Sequence, residues 1–302
     1  MKTFRLNDIE VCTSSLTQRA FRAAACEFLI CVNSSNQSQA LQEFADNKNS
    51  YSGLRVSGLS DLSFLAEFSN LRYLEVVDQK RVNTRYFDGL SNLRGFRLEM
   101  PGAGIDFSCF PELEVFVGDW HNENINVHRC QELRQLRVWQ FKPKSLDLRE
   151  LANVTRLEWL ELTQAGITSL AGLETLEDLR YLQVAYAAKL ESLDVFATAP
   201  MELRELGIRN SKKITSYAPI ASLQRLRRLW LSSCAPMPSL NWTKGLSQLD
   251  LFSFVETNVE NGDLSPLLLL PKLRYAGTMD KKHYNYKCDT LNELIRQRGE
   301  AQ

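Results

Sequence analysis

Residues 157–162 read LEWLEL, and the same placing of apolar residues returns at 71–76 (LRYLEV), 133–138 (LRQLRV), 179–184 (LRYLQV), 203–208 (LRELGI) and 226–231 (LRRLWL). All six follow one template, L-x-x-L-x-L. Looser copies begin at Tyr51, Leu93, Leu113, Leu246 and Leu273. The eleven starts run from 51 to 273, so the intervals average about 22 residues. Self-similarity at a fixed period of this size marks a repeat architecture, in which each unit is one supersecondary turn. One match to the template arises cheaply, but eleven in register do not.

Within x-L-x-L-x, alternation at period two sends the apolar side chains to one face and the x residues to the other. A single unit cannot bury its apolar face alone, so successive units stack and cover one another. The pattern therefore predicts short parallel strands, one per turn, with the rest of each turn returning on the outer side. In the sixth turn the return carries Ile167, Leu170, Leu173 and Leu176, whose spacing of three suits a short helix or 3₁₀ segment.

These residues resemble the bacterial leucine-rich-repeat family with units of about 22 residues, over roughly residues 49–280. The resemblance implies an α/β solenoid: a curved right-handed superhelix with a concave parallel β-sheet and short helices, 3₁₀ segments and loops on the convex side. The family places an asparagine three residues after the last apolar strand position. Here those positions hold Leu59, Gln79, Pro101, His121, Phe141, Ala165, Ala187, Ser211, Cys234, Phe254 and Lys281, which predicts irregular turns and uneven curvature.

A stack of this kind needs covered ends. Residues 1–48 lack the template and are read as an N-terminal cap, with Phe21 to Val32 (FRAAACEFLICV) as its buried helix. Residues 49–280 are the solenoid and 281–302 the C-terminal cap. In that cap Thr290-Leu-Asn-Glu293 has the form of a capping box, Leu291, Leu294 and Ile295 give one apolar face, and Gly299 offers a stop.

The 302 residues are 44% hydrophobic and 24% charged, ample apolar material for a continuous core. Thirty-six basic residues balance thirty-six acidic ones, which removes the bulk attraction that nucleic-acid and polybasic membrane binders use. No nucleic-acid or membrane partner is expected. Seven scattered cysteines without a CxxC pair, and an N-terminus without an apolar signal core, point to reduced thiols and a cytoplasmic protein. His121, His128 and His283 lack converging ligands, and the Asn-Gly of 260–263 reads as a turn, so neither metal nor cofactor is expected. No nucleophile elbow, phosphate loop or zinc-protease motif is present, and an enzyme is not expected.

The informative surface is the outward face of the strands. Counting each repeat's first apolar residue as position 1, positions 3, 5 and 7 point outward, with 8 just beyond. Tyr73, Trp120, Trp139, Trp159, Tyr181, Tyr186, Trp230, Phe252 and Tyr275 fall there. Exposed rings keep apolar area wet, and such clusters mark binding surfaces. Tryptophan, tyrosine and arginine also dominate binding hot spots. The bland alternative is that the rings stack along the ladder and merely cover one another. Arg55, Glu75 and Arg97 at position 5, then Arg137 and Glu161, alternate in sign and support the sheet. Arg209 and Arg228 would make one flank basic, and Glu99, Asp119 and Glu161 the other acidic, which orients a partner.

The expected function is a non-catalytic module docking a protein on its concave face, through Tyr73, Trp120, Trp139, Trp159, Tyr181, Tyr186, Arg209, Arg228 and Trp230. The resemblance extends to bacterial repeat proteins that can serve as immunity partners of toxins, and the ribonuclease inhibitor shows how this architecture can block an enzyme; a toxin or enzyme is the partner this implies, and inhibition the effect. The alternative is an adaptor or scaffold subunit recruiting a partner to an enzyme complex.

Overall fold

A computed structural model describes residues 3–6, 9–13, 28–47, 50–77, 82–99, 104–199 and 201–300. The chain divides into two compact units, residues 1–139 and 140–302. In the first, β1 (Thr3–Leu6), β2 (Ile9–Thr13) and β3 (Phe28–Val32) pair antiparallel in turn. From β3 onward the strands pair parallel, through β4 (Gly53–Ser57), β5 (Tyr73–Val77), β6 (Gly95–Leu98), β7 (Val115–Asp119) and β8 (Gln135–Trp139). The second unit continues the pattern with β9 (Trp159–Thr163), β10 (Tyr181–Ala185), β11 (Glu205–Arg209), β12 (Arg228–Ser232), β13 (Leu251–Ser253) and β14 (Tyr275–Gly277).

The template leucines register with one another rung by rung. Leu160, Leu182, Leu206 and Leu229 form one column, and Leu162, Val184, Ile208 and Leu231 the next, all buried. Strand partners therefore repeat the same two inward side chains, which is why the apolar core runs along the stack. The returns are short 3₁₀ segments, except for one α-helical turn, Val195–Thr198, which is α2 in chain order. In the sixth turn Leu173 and Leu176 donate their N–H groups to Leu170 and Leu173, and all four residues spaced by three are buried.

Three sequence readings need correction. Residues 28–32 of the supposed cap helix form β3, in register with β4 through Ile30↔Leu54 and Val32↔Val56. Five buried or edge residues, FLICV, pair with an available parallel neighbour, and strand wins over helix; residues 21–27 lie outside the described residues. A genuine helix, α1 (Gln37–Asp46), follows and buries Ala40 and Phe44.

The tenth repeat starts at Leu249, not Leu246. Phe252 pairs with Leu229 and is fully buried, so Phe252 and Phe254 fill the two inward positions and Phe252 is not on the outward face. The shift also moves the consensus asparagine position of this turn to Thr257. Its hydroxyl donates to Leu231 O (2.7 Å) and accepts the Cys234 N–H (3.0 Å), tying adjacent turns as the missing amide would. Elsewhere that position holds buried Leu59, Phe141, Ala165 and Ala187.

The third correction concerns the C-terminal helix. α3 (Cys288–Glu300) begins before Thr290. The Asp280 carboxylate accepts the Cys288 N–H at 2.7 Å, replacing the expected capping box, and Gly299 lies inside the last turn. Leu291 and Ile295 face inward, while Asn292 accepts the Ala276 N–H and donates to the Ala276 carbonyl.

Candidate binding face

Position 8 of the repeat ends the strand by a left-handed residue. Gln164, Tyr186, Asn210, Ser233 and Glu256 have φ between 53° and 60°. Each of the first four donates its N–H to the position-7 carbonyl of the next turn, Gln164 to Ala185, Tyr186 to Arg209, Asn210 to Ser232 and Ser233 to Val255. The reversal throws the side chain outward, and Tyr186 is 58% exposed.

Trp120 occupies the same position yet lies in the core, which corrects its assignment to the outward face. It makes the ladder bond, N–H to Trp139 O, without a left-handed φ, so its side chain turns inward. It is 7% exposed and stacks on Phe107 with centroids 5.7 Å apart. Gly118 stands at an inward position of the same strand, where a Cβ would come within 2.1 Å of the Leu98 carbonyl oxygen. The indole supplies apolar volume that this glycine leaves out.

Tyr73 and Trp139 do lie on the outward face of the first unit, but packed rather than presented. Both rest against Val115 and Val117, and Tyr73 also meets the Leu29–Cys31 cluster. Tyr73 reaches these neighbours because Gly53 and Gly95 flank it on the adjoining strands. Glu75 is fully buried and ion-paired to Arg55 on the adjacent strand, as alternating charges predict, whereas Arg97 pairs with Glu99 two residues along its own segment. Burial, then the Glu99 charge, raises the Asp119 carboxyl above its usual range.

The second unit has the more open face. Trp159 and Tyr181 stack with centroids 3.5 Å apart and planes at 10°. The Trp159 indole donates to Glu161 (2.9 Å) and the Tyr181 hydroxyl to Gln183 (3.0 Å), so each ring is fixed from its own strand. The stacking alternative is thus realised for this pair, and the two rings form one half-exposed plate. Two strands along, Trp230 is flanked in register by Gly207 and Ser253, and its indole stands over a low floor. A Cβ on Gly207 would have Gln183 atoms as its nearest neighbours, none closer than 3.6 Å, so the fold itself does not demand a glycine there.

The charges differ from the expected steering pattern. Arg228 is held by Glu205 (3.3 Å) and lies 3.9 Å from Asp250. Arg209 is exposed, with no carboxylate in ion-pair range among the described residues. The corrected register adds Leu251 and exposed Val255 to the face. Reading Phe252 as an inward residue from its aromatic partner Phe254 two positions on would have revealed them.

Two of the three histidines take structural parts. His121 accepts the Glu123 N–H, and His283 meets Val259 O at 3.0 Å. Among the described residues no group of three metal-ligating side chains converges, and no helix is long and apolar enough to cross a membrane.

Parallel rungs, one per turn, with apolar columns inside and 3₁₀ returns outside define a leucine-rich-repeat solenoid. Among solved structures the chain is similar to an internalin, InlF, from Listeria monocytogenes, with a TM-score of 0.63 at 17% identity, over 80% of this chain and 70% of that one. It is also similar to the repeat protein of the TLR13–ssRNA13 complex, with a TM-score of 0.56 at 14% identity, over 76% of this chain and 36% of that one. At these identities the likeness is one of fold. No protein-family profile and no curated sequence matches the chain.

Proposed function

We propose that this chain is a non-catalytic binding module that docks a folded protein on the outward sheet face of residues 140–302. The observation that carries the reading is the Trp159–Tyr181 plate. Two large rings are held half-exposed by hydrogen bonds from their own strands, so little conformational freedom is lost when a partner covers them. Trp230, Tyr186 and Tyr275 add exposed or half-exposed aromatic surface, and Arg209 supplies an unpaired charge at its margin. Tyr73 and Trp139 contribute mainly to packing in the first unit, and Trp120 to its core. Inhibition of a toxin or enzyme is the sharper form of this reading, and recruitment of a partner to a complex the other.

Immobilised chain and a Trp159→Ala, Trp230→Ala double variant, both checked by circular dichroism, should be compared for proteins retained from native extract. The reading expects a partner held by the first and lost from the second. A folded double variant that retains the same proteins as the parent would sink it.

A further inference from the structure

Two grooves run side by side along α3 in the second unit, sharing Leu273, Arg274 and Gly299. One, of about 600 Å³, gathers Arg227, Lys272, Arg274 and Arg298 around Asp250, the one carboxylate among its described lining residues. That carboxylate is already engaged by Arg227 (3.4 Å) and approached by Arg228 (3.9 Å), and it has little left with which to neutralise the others. Arg298 is fixed by donating to the Leu268 and Leu273 carbonyls (2.7 and 2.9 Å), while its buried Nε has no partner. Among the described residues Lys272 makes one hydrogen bond, to neutral Gln248, and Arg274 has no ion pair. The second groove, of about 590 Å³, has an apolar wall of Leu273, Tyr275 and Ile295, but Asp289 and Glu293 also line it.

We propose that this double groove binds an acidic peptide segment, its carboxylates in the cationic groove and an adjoining apolar side chain against Tyr275. Excess positive charge on partly fixed guanidinium groups favours planar carboxylates, which arginine pairs through two parallel bonds. A continuous phosphodiester strand fits worse. It would meet Asp250 in one groove and Asp289 and Glu293 in the other, and the chain as a whole carries no net charge to attract a polyanion. A peptide can alternate acidic and apolar residues to match.

The proposal stands apart from the Trp159–Tyr181 plate, sharing only Tyr275 with the wider face, and its test keeps the two separate. A dye-labelled peptide Glu-Glu-Phe-Glu-Glu, blocked at both ends, is titrated against the full chain by fluorescence anisotropy. Parallel arms use the Gln-Gln-Phe-Gln-Gln analogue and a single-stranded oligouridylate of equal length. The acidic peptide should bind at least about tenfold tighter than either, and weaken with added salt. Lys272→Glu with Arg274→Glu should cost at least about tenfold; the milder Arg274→Gln, at an exposed side chain, about threefold, with the melting temperature unchanged. Trp159→Ala should leave the affinity as it was. Equal binding of the glutamine analogue, tighter binding of the RNA, indifference to Arg274→Gln, or a loss with Trp159→Ala would each overturn the assignment.

Discussion

Two aromatic residues that look alike in the sequence, Trp120 and Tyr186, do opposite work. Trp120 follows its strand as Tyr186 follows β10, and the template puts both beyond the last apolar position. The sign of φ at that residue sends Tyr186 out and leaves Trp120 in, and no pattern of residue types reveals it. Trp120→Ala should therefore empty a core site and cost about 3–5 kcal/mol, whereas Trp159→Ala, which removes a half-exposed ring from a stack, should cost about 1 kcal/mol. Urea unfolding of both variants decides this, and a larger loss for Trp159 would reverse the assignment. Gly207 makes a complementary case. Because a Cβ fits there, Gly207→Ala should gain about 0.5–1 kcal/mol from the reduced freedom of the unfolded chain. Gly207→Leu should stay folded while its bulk, raised beside Trp230, lowers partner retention; a destabilised leucine variant would show that the floor is part of the fold.

At the scale of elements, the strands were legible because each needs two inward residues at fixed spacing, and that requirement is written directly in residue type. The exceptions are instructive. The run GLSQLDLFSF offers leucines at 246, 249 and 251, yet the chain uses Leu249, Phe252 and Phe254, since phenylalanine fills an inward site as well as leucine does. β3 is hard to read in the sequence because its turn lacks the leading leucine, leaving only Ile30 and Val32 to declare the register. The start of α3 was misplaced because its cap comes from Asp280, eight residues before Cys288 and invisible to a local motif. The helix has a second duty at the edge of the sheet. Asn292 satisfies both the N–H and the carbonyl of Ala276 on β14, groups that an open edge would offer to another chain. Asn292→Ala should cost about 1–3 kcal/mol for the two bonds and raise light scattering on storage. Unchanged scattering with unchanged stability would mean that α3 covers the edge without this side chain.

For the whole molecule, the cysteines join composition to stability. Their scatter suggested small buried thiols, and Cys130 and Cys234 are so placed, each donating to main-chain carbonyls, Cys130 to Phe107 and Cys234 to Ile208. Burial, helped by the Asp106 charge, pushes the Cys130 thiol up to about 12; burial pushes Cys234 up to about 11 against a weaker lowering from the Ser211 backbone. Burial also raises the Tyr217 phenol. Below about pH 8.5 the thiols keep their protons folded or unfolded, and the stability tied to them is complete. Above it the unfolded chain releases protons that the folded chain retains. Unfolding then becomes easier as pH rises, until Cys234 ionises in place near 11 and Cys130 near 12. Across that window each thiol should remove about 1.4 kcal/mol of stability per pH unit. Urea midpoints at pH 8 and pH 10 test this, with Cys130→Ala compared by its slope against pH, since the lost volume lowers its absolute stability at any pH. The alanine chain should fall less steeply than the parent. Parallel slopes would place the alkaline weakness elsewhere, with Tyr217 as the next group to replace, by phenylalanine.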